Sequence, residues 1–386
     1  MKQNKLITSL ENSLWQSMPL LSTFLLSFLI VRWFSITIWG SIVAVLVIQQ
    51  LVNGVLAWGN KDYLQRELGA DPTAFSQLFL ERLLLFIAII PVVFLSGFVS
   101  TDVFIAFVLL VFFRFFIQSF DVLITIERKF KGLIVLDFCL LLFQVTLLYL
   151  TKNEHPDLNG LLLLFWLPLL FKSLLLWFAF RKYFKKPHFK KIVIVNSFFF
   201  AMLTITGLVH SKVDVFLVGQ LLDKKTLGEY QIIMAFLWSI QSISMYVSGP
   251  FIHNFYRMNP ASQKKSGTLL KNIGFLIVPV AVGIVMLLLH YLFNIPVNAS
   301  IITASLFFSI ASFVYLPWVL QINHKRLEHR MLLINCIGSI VLFGLIYLTN
   351  CWFGLSLERI LWIIAGQQLL IILFVYTANT TPKHAR

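Results

Sequence analysis

Residues 103–126 read VFIAFVLLVFFRFFIQSFDVLITI, and the basic residues Arg128, Lys129 and Lys131 follow almost at once. At about 1.5 Å per residue such a stretch makes a helix of roughly 36 Å, longer than the ~30 Å hydrocarbon core of a bilayer. Apolar composition over that length, closed by a basic cluster, predicts a helix that crosses a membrane and ends on the side where positive charge collects. Working outward in both directions, similar stretches occur at 13–34, 37–58, 77–98, 132–150, 159–180, 192–220, 226–252, 272–293, 299–322, 331–349 and 356–378. With 103–126 they make twelve expected spans. The seventh, 192–220, is long enough to be a tilted helix or one with an interfacial extension.

Composition agrees with this reading. The chain of 386 residues is 59% hydrophobic and only 12% charged, with 39 Phe and 10 Trp, and its mean hydropathy is +0.87. A soluble domain of this length needs more charge to cover its surface. The net charge of +15 raises the possibility of a nucleic-acid partner. The basic residues sit in short clusters between apolar runs, however, which is a topology signal and not a binding face for nucleic acid. The start, Met1 to Glu11, does not read as a cleavable leader, because the apolar stretch after it is of spanning length.

The clusters also give direction. With the amino terminus inside, the inner segments carry 22 of the 31 Lys and Arg and the outer ones only Arg32, Lys152, Lys224, Lys225 and Arg359. One missed or invented span would invert the alternation downstream, so 22 against 5 supports both the count and cytoplasmic termini. The connections are short throughout. The longest inner one is 59–76, so whatever chemistry the chain performs belongs within the bilayer.

The basic loop Arg181–Lys191 splits the chain into two sets of six spans, an amino-terminal lobe of 1–186 and a carboxy-terminal lobe of 187–386. Equal orientation of the two sets suits a parallel repeat about an axis along the membrane normal. An offset of 188 residues lays Phe28-Leu29-Ile30 on Phe216-Leu217-Val218, Gly40 on Gly228, Asn53 on Gln241, Trp58 on Tyr246 and Pro91 on Pro279. Pro91, Pro168, Pro279 and Pro317 fall inside spans, where each removes a helix hydrogen bond.

A Lys, Arg or Asp at mid-membrane costs about 2.5–3.5 kcal/mol on insertion scales, so each one needs a reason. Arg114, Gln118 and Asp121 share a helical face in the fourth span. Lys172 lies among leucines in the sixth, Asp137 and Gln144 share a face of the fifth, and the seventh carries His210, Lys212 and Asp214. Cations such as Arg114, Lys172, Lys212 and His210 facing an interior cavity suit an anionic group such as a diphosphate. Asp121, Asp137 and Asp214 would balance them or carry coupling protons. The alternative is that all of these charges form interhelical ion pairs that only hold the bundle together. Glu81 and Arg82 read as interfacial. Gln49, Gln50, Asn53, Gln241, Asn335, Gln367 and Gln368 remain divided between cavity and helix contacts. Cys139, Cys336 and Cys351 lack metal-ligand spacing, and the first two read as buried small hydrophobes. No metal site or cofactor is expected. No Walker A loop, HExxH or paired loop carboxylates occur, so an enzyme is not expected.

Two stretches carry a family resemblance. One runs from Trp39-Gly40 to Trp58-Gly59-Asn60-Lys61-Asp62-Tyr63-Leu64-Gln65-Arg66-Glu67. The other is Lys212-Val213-Asp214-Val215-Phe216-Leu217-Val218-Gly219 with Leu227-Gly228-Glu229-Tyr230. Together they resemble the oligosaccharide (O-antigen type) flippases of polysaccharide biosynthesis, relatives of the multidrug and toxin extrusion transporters. They cover about a sixth of the chain, and the glycine-proline usual before Gly40 is missing. The resemblance implies an all-α membrane protein with two six-helix lobes around a central cavity. It implies transport of polyprenyl-diphosphate-linked oligosaccharide, for O-antigen or another surface polysaccharide, from the inner to the outer leaflet of a bacterial cytoplasmic membrane. Its partners would be the lipid-linked oligosaccharide, membrane lipids and, where present, a glycan polymerase and other polysaccharide-assembly proteins. On this reading Arg114, Lys172, Lys212 and Gln118 meet the cargo, and Asp121, Asp137 and Asp214 supply charge balance or ion coupling. A cation-coupled multidrug exporter of the same fold is the first alternative. A membrane glycan polymerase or ligase, which needs a large outer loop, is the second, and a scaffold subunit the third.

Overall fold

A computed structural model describes residues 2–68, 73–154, 156–184, 193–255, 259–324 and 328–380. Twelve long helices coincide with the twelve expected spans. They are α1 (Lys2–Trp33), α2 (Ile36–Ala57), α4 (Ala74–Leu95), α5 (Phe104–Glu127), α6 (Phe130–Thr151), α7 (Leu158–Phe180), α9 (Phe198–Leu221), α10 (Lys224–Phe255), α11 (Pro260–Phe293), α12 (Ala299–His324), α13 (Glu328–Phe353) and α14 (Leu357–Thr380). Two short helices, α3 (Asn60–Glu67) and α8 (Val193–Asn196), lie between them. Ten of the long helices have the length and hydropathy of a bilayer crossing among the described residues, and α1 adds the shorter apolar segment Ser17–Trp33. The protein is an all-α, multi-pass integral membrane protein.

Local chemistry sets the helix ends. Ser35, Asp157 and Asn259 cap α2, α7 and α11, accepting from the backbone N–H of Ile38 (3.1 Å), Gly160 (2.7 Å) and Ser262 (2.8 Å). Pro260 opens α11, where its missing N–H costs nothing. That cap starts α11 well before residue 272, where hydropathy alone begins the span. The added turns carry Lys264, Lys265 and Lys271 and are helix in a polar setting. The long seventh stretch is two pieces, with Ser197 separating α8 from α9. Trp58, Arg128 and Asn294 terminate helices in the left-handed conformation.

The chain divides into two compact units, Met1–Val209 and His210–Arg386, so the division falls inside α9. In the first unit α5 packs on α2, α3 and α7, and α1 lies against α6 and α2. Around the end of α5, Phe75, Phe120 and Phe180 are buried with Leu64, Leu78 and Leu123, and Phe184 packs on this group. In the second unit α12 is the packing centre, in contact with α10, α11, α13 and α14. Apolar side chains that face outward, such as Leu95 (82% exposed), Ile105 (76%) and Leu276 (74%), form the surface a lipid environment covers. Cys139 and Cys351 belong to that surface and Cys336 is half-buried, so burial expected from apolar neighbours does not hold for Cys139. A helix inside a bilayer has apolar neighbours on its lipid face as well as on its packed face.

Several basic residues counted for topology (Lys185, Lys186, Lys190, Lys191, Arg257, Lys325, Arg326, Lys383 and Arg386) lie outside the described residues, as do the side chains of Lys2, Lys5, Asp62 and Arg66. Among the described ones, Lys129 and Lys182 converge on the Glu127 carboxylate at 2.7 and 2.6 Å. Tyr183 donates to the same carboxylate at 2.8 Å. The ends of α5 and α7 are thereby tied together on the side where the basic loops gather.

Candidate functional site: a charged cavity in the first unit

The first unit encloses a cavity of about 440 Å³ walled by α1, α2, α5, α6, α7 and the start of α9. Its polar lining comes from Gln49, Gln50 and Asn53 of α2, Arg114 and Gln118 of α5, Asp137 and Gln144 of α6, and Lys172 of α7. Most of these stand in the carboxy-terminal halves of α2, α5 and α7. The cavity therefore reaches from mid-membrane toward the end of the unit that carries the Glu127 cluster. Leucines complete the wall, together with Trp39, Phe165 and the two helix prolines Pro19 and Pro168.

The charges are not equivalent. Lys172 forms an ion pair with Asp137, both side chains being 12% exposed, so these two groups largely cancel. Arg114 makes no hydrogen bond or ion pair among the described residues, and the carboxylate that acts on it electrostatically is Asp121 of its own helix. Asp121 does not line the cavity. The walls thus hold two cations and one anion, and the group without a direct ion-pair partner among the described residues is a guanidinium, whose planar fork suits a phosphate or carboxylate.

Four of the residues singled out in the sequence are therefore brought together: Arg114, Gln118, Asp137 and Lys172. Lys212 and Asp214 belong to the second unit. Asp214, 3% exposed, accepts a hydrogen bond from Tyr230, so the two pieces of the second family-like stretch pack on one another. His210, on α9, faces α13, its Nδ1 3.4 Å from Ser339 Oγ. Gln367 donates to the Gly338 carbonyl (3.2 Å) and Gln241 to that of Phe308 (2.7 Å), so these amides join helices while Gln49, Gln50 and Asn53 face the cavity.

Two features escaped the sequence. Pro168 cannot donate to the Leu164 carbonyl one turn earlier, and Gln144 Nε2 supplies that bond at 3.0 Å. Gln144 and Asp137, seven residues apart on α6, therefore stitch α6 to α7 at two levels. Arg82, expected at the interface, is fully buried. Its Nε donates to the Leu56 carbonyl (2.5 Å) and its Nη1 to Ser119 Oγ (3.1 Å), and the guanidinium lies 5.0 Å from the Phe115 ring centroid. The carbonyl it takes belongs to the last turn of α2, which has no partner within its own helix. Nearby, Asn60 Nδ2 donates to the Gln118 carbonyl (3.3 Å), Trp58 Nε1 to that of Ile194 (2.9 Å), and the Ile194 N–H to Glu81 (2.5 Å). The first family-like stretch is thus a joint linking α2 to α4, α5 and α8. Its Gly59 has φ +65, and a Cβ there would lie 2.6 Å from the Phe200 carbonyl carbon.

No protein-family model matches the chain, and no curated protein does. Solved structures do. The lipid II flippase MurJ in an inward closed conformation superposes with a TM-score of 0.72 at 14% identity, covering 98% of this chain and 88% of that one. An inward-facing multidrug resistance MATE family transporter of the MOP superfamily gives 0.62 at 14% identity, covering 96% and 97%. A MATE protein in complex with MaL6 gives 0.54 at 11% identity, covering 96% and 94%. At these identities the likeness is one of fold, and it extends over nearly the whole of each chain: the twelve helices here follow the architecture shared by that flippase and those transporters.

Proposed function

We propose that the protein is a flippase that carries polyprenyl-diphosphate-linked oligosaccharide from the cytoplasmic to the outer leaflet of a bacterial inner membrane, with both termini cytoplasmic and no chemistry of its own. The observation that carries the reading is the cavity's unbalanced cation. Arg114 faces it without an ion-pair partner while Lys172 and Asp137 offset each other. A guanidinium in a low-dielectric wall, supported at a distance by Asp121 of its own helix but making no ion pair among the described residues, is costly unless an anion meets it during the working cycle. A diphosphate meets that need, and the lipid tail stays in the bilayer while the head enters. On this reading the carboxy-terminal ends of α2, α5 and α7, toward which the cavity reaches, lie on the cytoplasmic side, where such a cargo is made available. Movement would follow from rocking of two six-helix lobes, 1–186 and 187–386, about the cargo. A similarly folded flippase of lipid II adds to the case.

The likeness to multidrug transporters favours a second reading, export of drugs coupled to a cation. Cationic drugs call for a wall dominated by carboxylates, and here cations exceed them, so this reading ranks below the first. The experiment is to delete the gene and recover lipid-linked saccharides with a test of their sidedness. Complete repeat units accumulating on the cytoplasmic leaflet support flipping, and Arg114→Ala should reproduce the accumulation. Units still reaching the outer leaflet at normal levels would exclude the flippase reading and direct the work to drug susceptibility.

A further inference from the structure

The cavity wall contains polar atoms that no described residue satisfies. Trp39 and Asn53 are each 1% exposed, yet the Trp39 indole Nε1 and the Asn53 Oδ1 have no hydrogen-bond partner, and neither has Oε1 of Gln118. All three residues line the cavity, on α2 and on α5, which pack on each other. The fourth such atom of this unit, Nη2 of Arg82, lies in the clamp that joins the same two helices. Buried polar groups are normally satisfied, and each orphan destabilises the state that contains it. Four further orphans, Asp214 Oδ1, Ser305 Oγ, Ser309 Oγ and Gln368 Oε1, lie in the second unit; those of Asn53 and Gln118 stand beside the charged cavity, which points to an occupant that supplies the missing bonds when the seam between α2 and α5 loosens.

The chemistry of the orphans restricts that occupant. The Asn53 amide is oriented by its own Nδ2, which donates to the Gln49 carbonyl at 3.0 Å, so its free atom is an acceptor and requires a donor. A phosphate, which only accepts, cannot supply one. A sugar hydroxyl donates and accepts, and so suits Asn53 Oδ1 and Gln118 in either amide orientation. Position agrees with chemistry. Gln118 stands one helical turn beyond Arg114 on the same face of α5, about 6 Å along the axis. A phosphate held by Arg114 leaves the group attached to it beside Gln118 and the α2 wall.

We propose that Asn53 and Gln118 form a subsite for the sugar joined directly to the anionic group of the cargo, so that the protein selects by that sugar's hydroxyl groups as well as by charge; Trp39, fourteen residues and about 21 Å before Asn53 on α2, lies beyond the reach of that sugar. The inference rests on the flippase reading and adds a specificity site to it.

The test uses the full-length protein in nanodiscs and native mass spectrometry with two probes: bare polyprenyl diphosphate, and polyprenyl-diphosphate saccharides extracted from the same cells. Wild type should bind the saccharide form about tenfold more tightly than the bare lipid, the equivalent of one well-made hydrogen bond. Asn53→Leu and Gln118→Leu should each bring that ratio to within about threefold, by lowering affinity for the saccharide form more than for the bare lipid. Because each replaces an orphan with an apolar group of similar size, neither should lower the melting temperature of the ligand-free protein. Arg114→Ala should weaken both probes alike. If wild type and both variants keep the same preference, or if both variants melt lower and lose both probes together, the subsite is refuted while the flippase reading stands. If wild type binds neither probe, the flippase reading falls and the subsite with it.

Discussion

Replacement of Arg82 tests whether buried charge is holding the cavity wall in shape. The wild-type guanidinium donates to the Leu56 carbonyl and to Ser119 Oγ and lies over Phe115. Two hydrogen bonds from a charged group contribute about 1.5–3 kcal/mol each, and the ring contact adds about 0.5–2 kcal/mol. Against them stands the cost of burying a cation, several kcal/mol. Arg82→Met removes both sides of that balance and preserves volume. What it leaves is the Leu56 carbonyl without a donor, a loss of about 1–3 kcal/mol. Ser119 Oγ keeps its own bond to the Phe115 carbonyl at 2.9 Å and adds nothing to the loss. Arg82→Lys keeps the buried charge but gives up the fork that reaches two acceptors at once, and an ammonium is the more strongly hydrated ion. Lysine should therefore be worse than methionine, the reverse of what charge conservation alone suggests. For a unit of 209 residues, about 2–4 °C per kcal/mol puts Arg82→Met on the order of 5 °C below wild type. Arg82→Lys should fall below that. Fluorescence-detected size exclusion after heating in detergent reads the order directly. A lysine variant that melts with wild type would refute the argument, because the charge and not the two-armed bond would then be what the fold requires.

Other expectations follow from single contacts. Breaking the Lys172–Asp137 pair from either side, Lys172→Leu or Asp137→Leu, should cost about 3–5 kcal/mol by stranding the other charge, while the double variant recovers most of it; melting curves of the cycle decide the point. Arg114→Ala should lower the melting temperature by no more than about 4 °C, as it breaks no hydrogen bond or ion pair among the described residues and removes only the longer-range electrostatic support of Asp121, and should abolish transport; a large thermal loss would make Arg114 a structural residue. Gly59→Ala should lose about 3 kcal/mol or more, since φ +65 disfavours a side chain by about 1–2 kcal/mol and the added Cβ meets backbone at Phe200; reduced yield of folded protein is the readout. Gln144→Leu should lose about 1–3 kcal/mol by stranding the Leu164 carbonyl, and Pro168→Ala, which restores that carbonyl's helix partner, should rescue it.

How much of this is legible in sequence depends on whether the signal is local. The spans are, because twenty apolar residues in a bilayer leave the backbone one satisfactory arrangement. Helix ends are legible where a cap is present, as at Asn259-Pro260, and misplaced where hydropathy stands in for the cap, as at residue 272. Charges within spans announce that they need a reason, but a reason is a partner, and partners come from other helices. Arg114 and Arg82 show the limit. Each is an arginine in an apolar run, yet one faces an open cavity without an ion pair and the other is clamped by a carbonyl of α2 and a hydroxyl of α5. Glu81 beside Arg82 points the wrong way, to an interface, and nothing within a turn of either residue names the partners that decide between them. Gln144 is a further case, since its role exists only because Pro168 on the next helix lacks an N–H.

The same distinction gives the site its meaning. Most intramembrane polar groups here end in a specific bond: Arg82 on Leu56, Gln144 on Leu164, Gln241 on Phe308, Gln367 on Gly338 and Tyr230 on Asp214. Each stabilises one arrangement of helices. Arg114, and the unsatisfied atoms of Asn53 and Gln118, line the cavity and make no such bond among the described residues. Conserving the fold does not require them, since apolar residues of the same size would pack at least as well without a desolvation cost. Groups that destabilise the empty protein and gather on one cavity wall are explained by what enters the cavity, and their two chemistries, one anion-binding and one that demands a donor, describe a phosphate with a sugar attached.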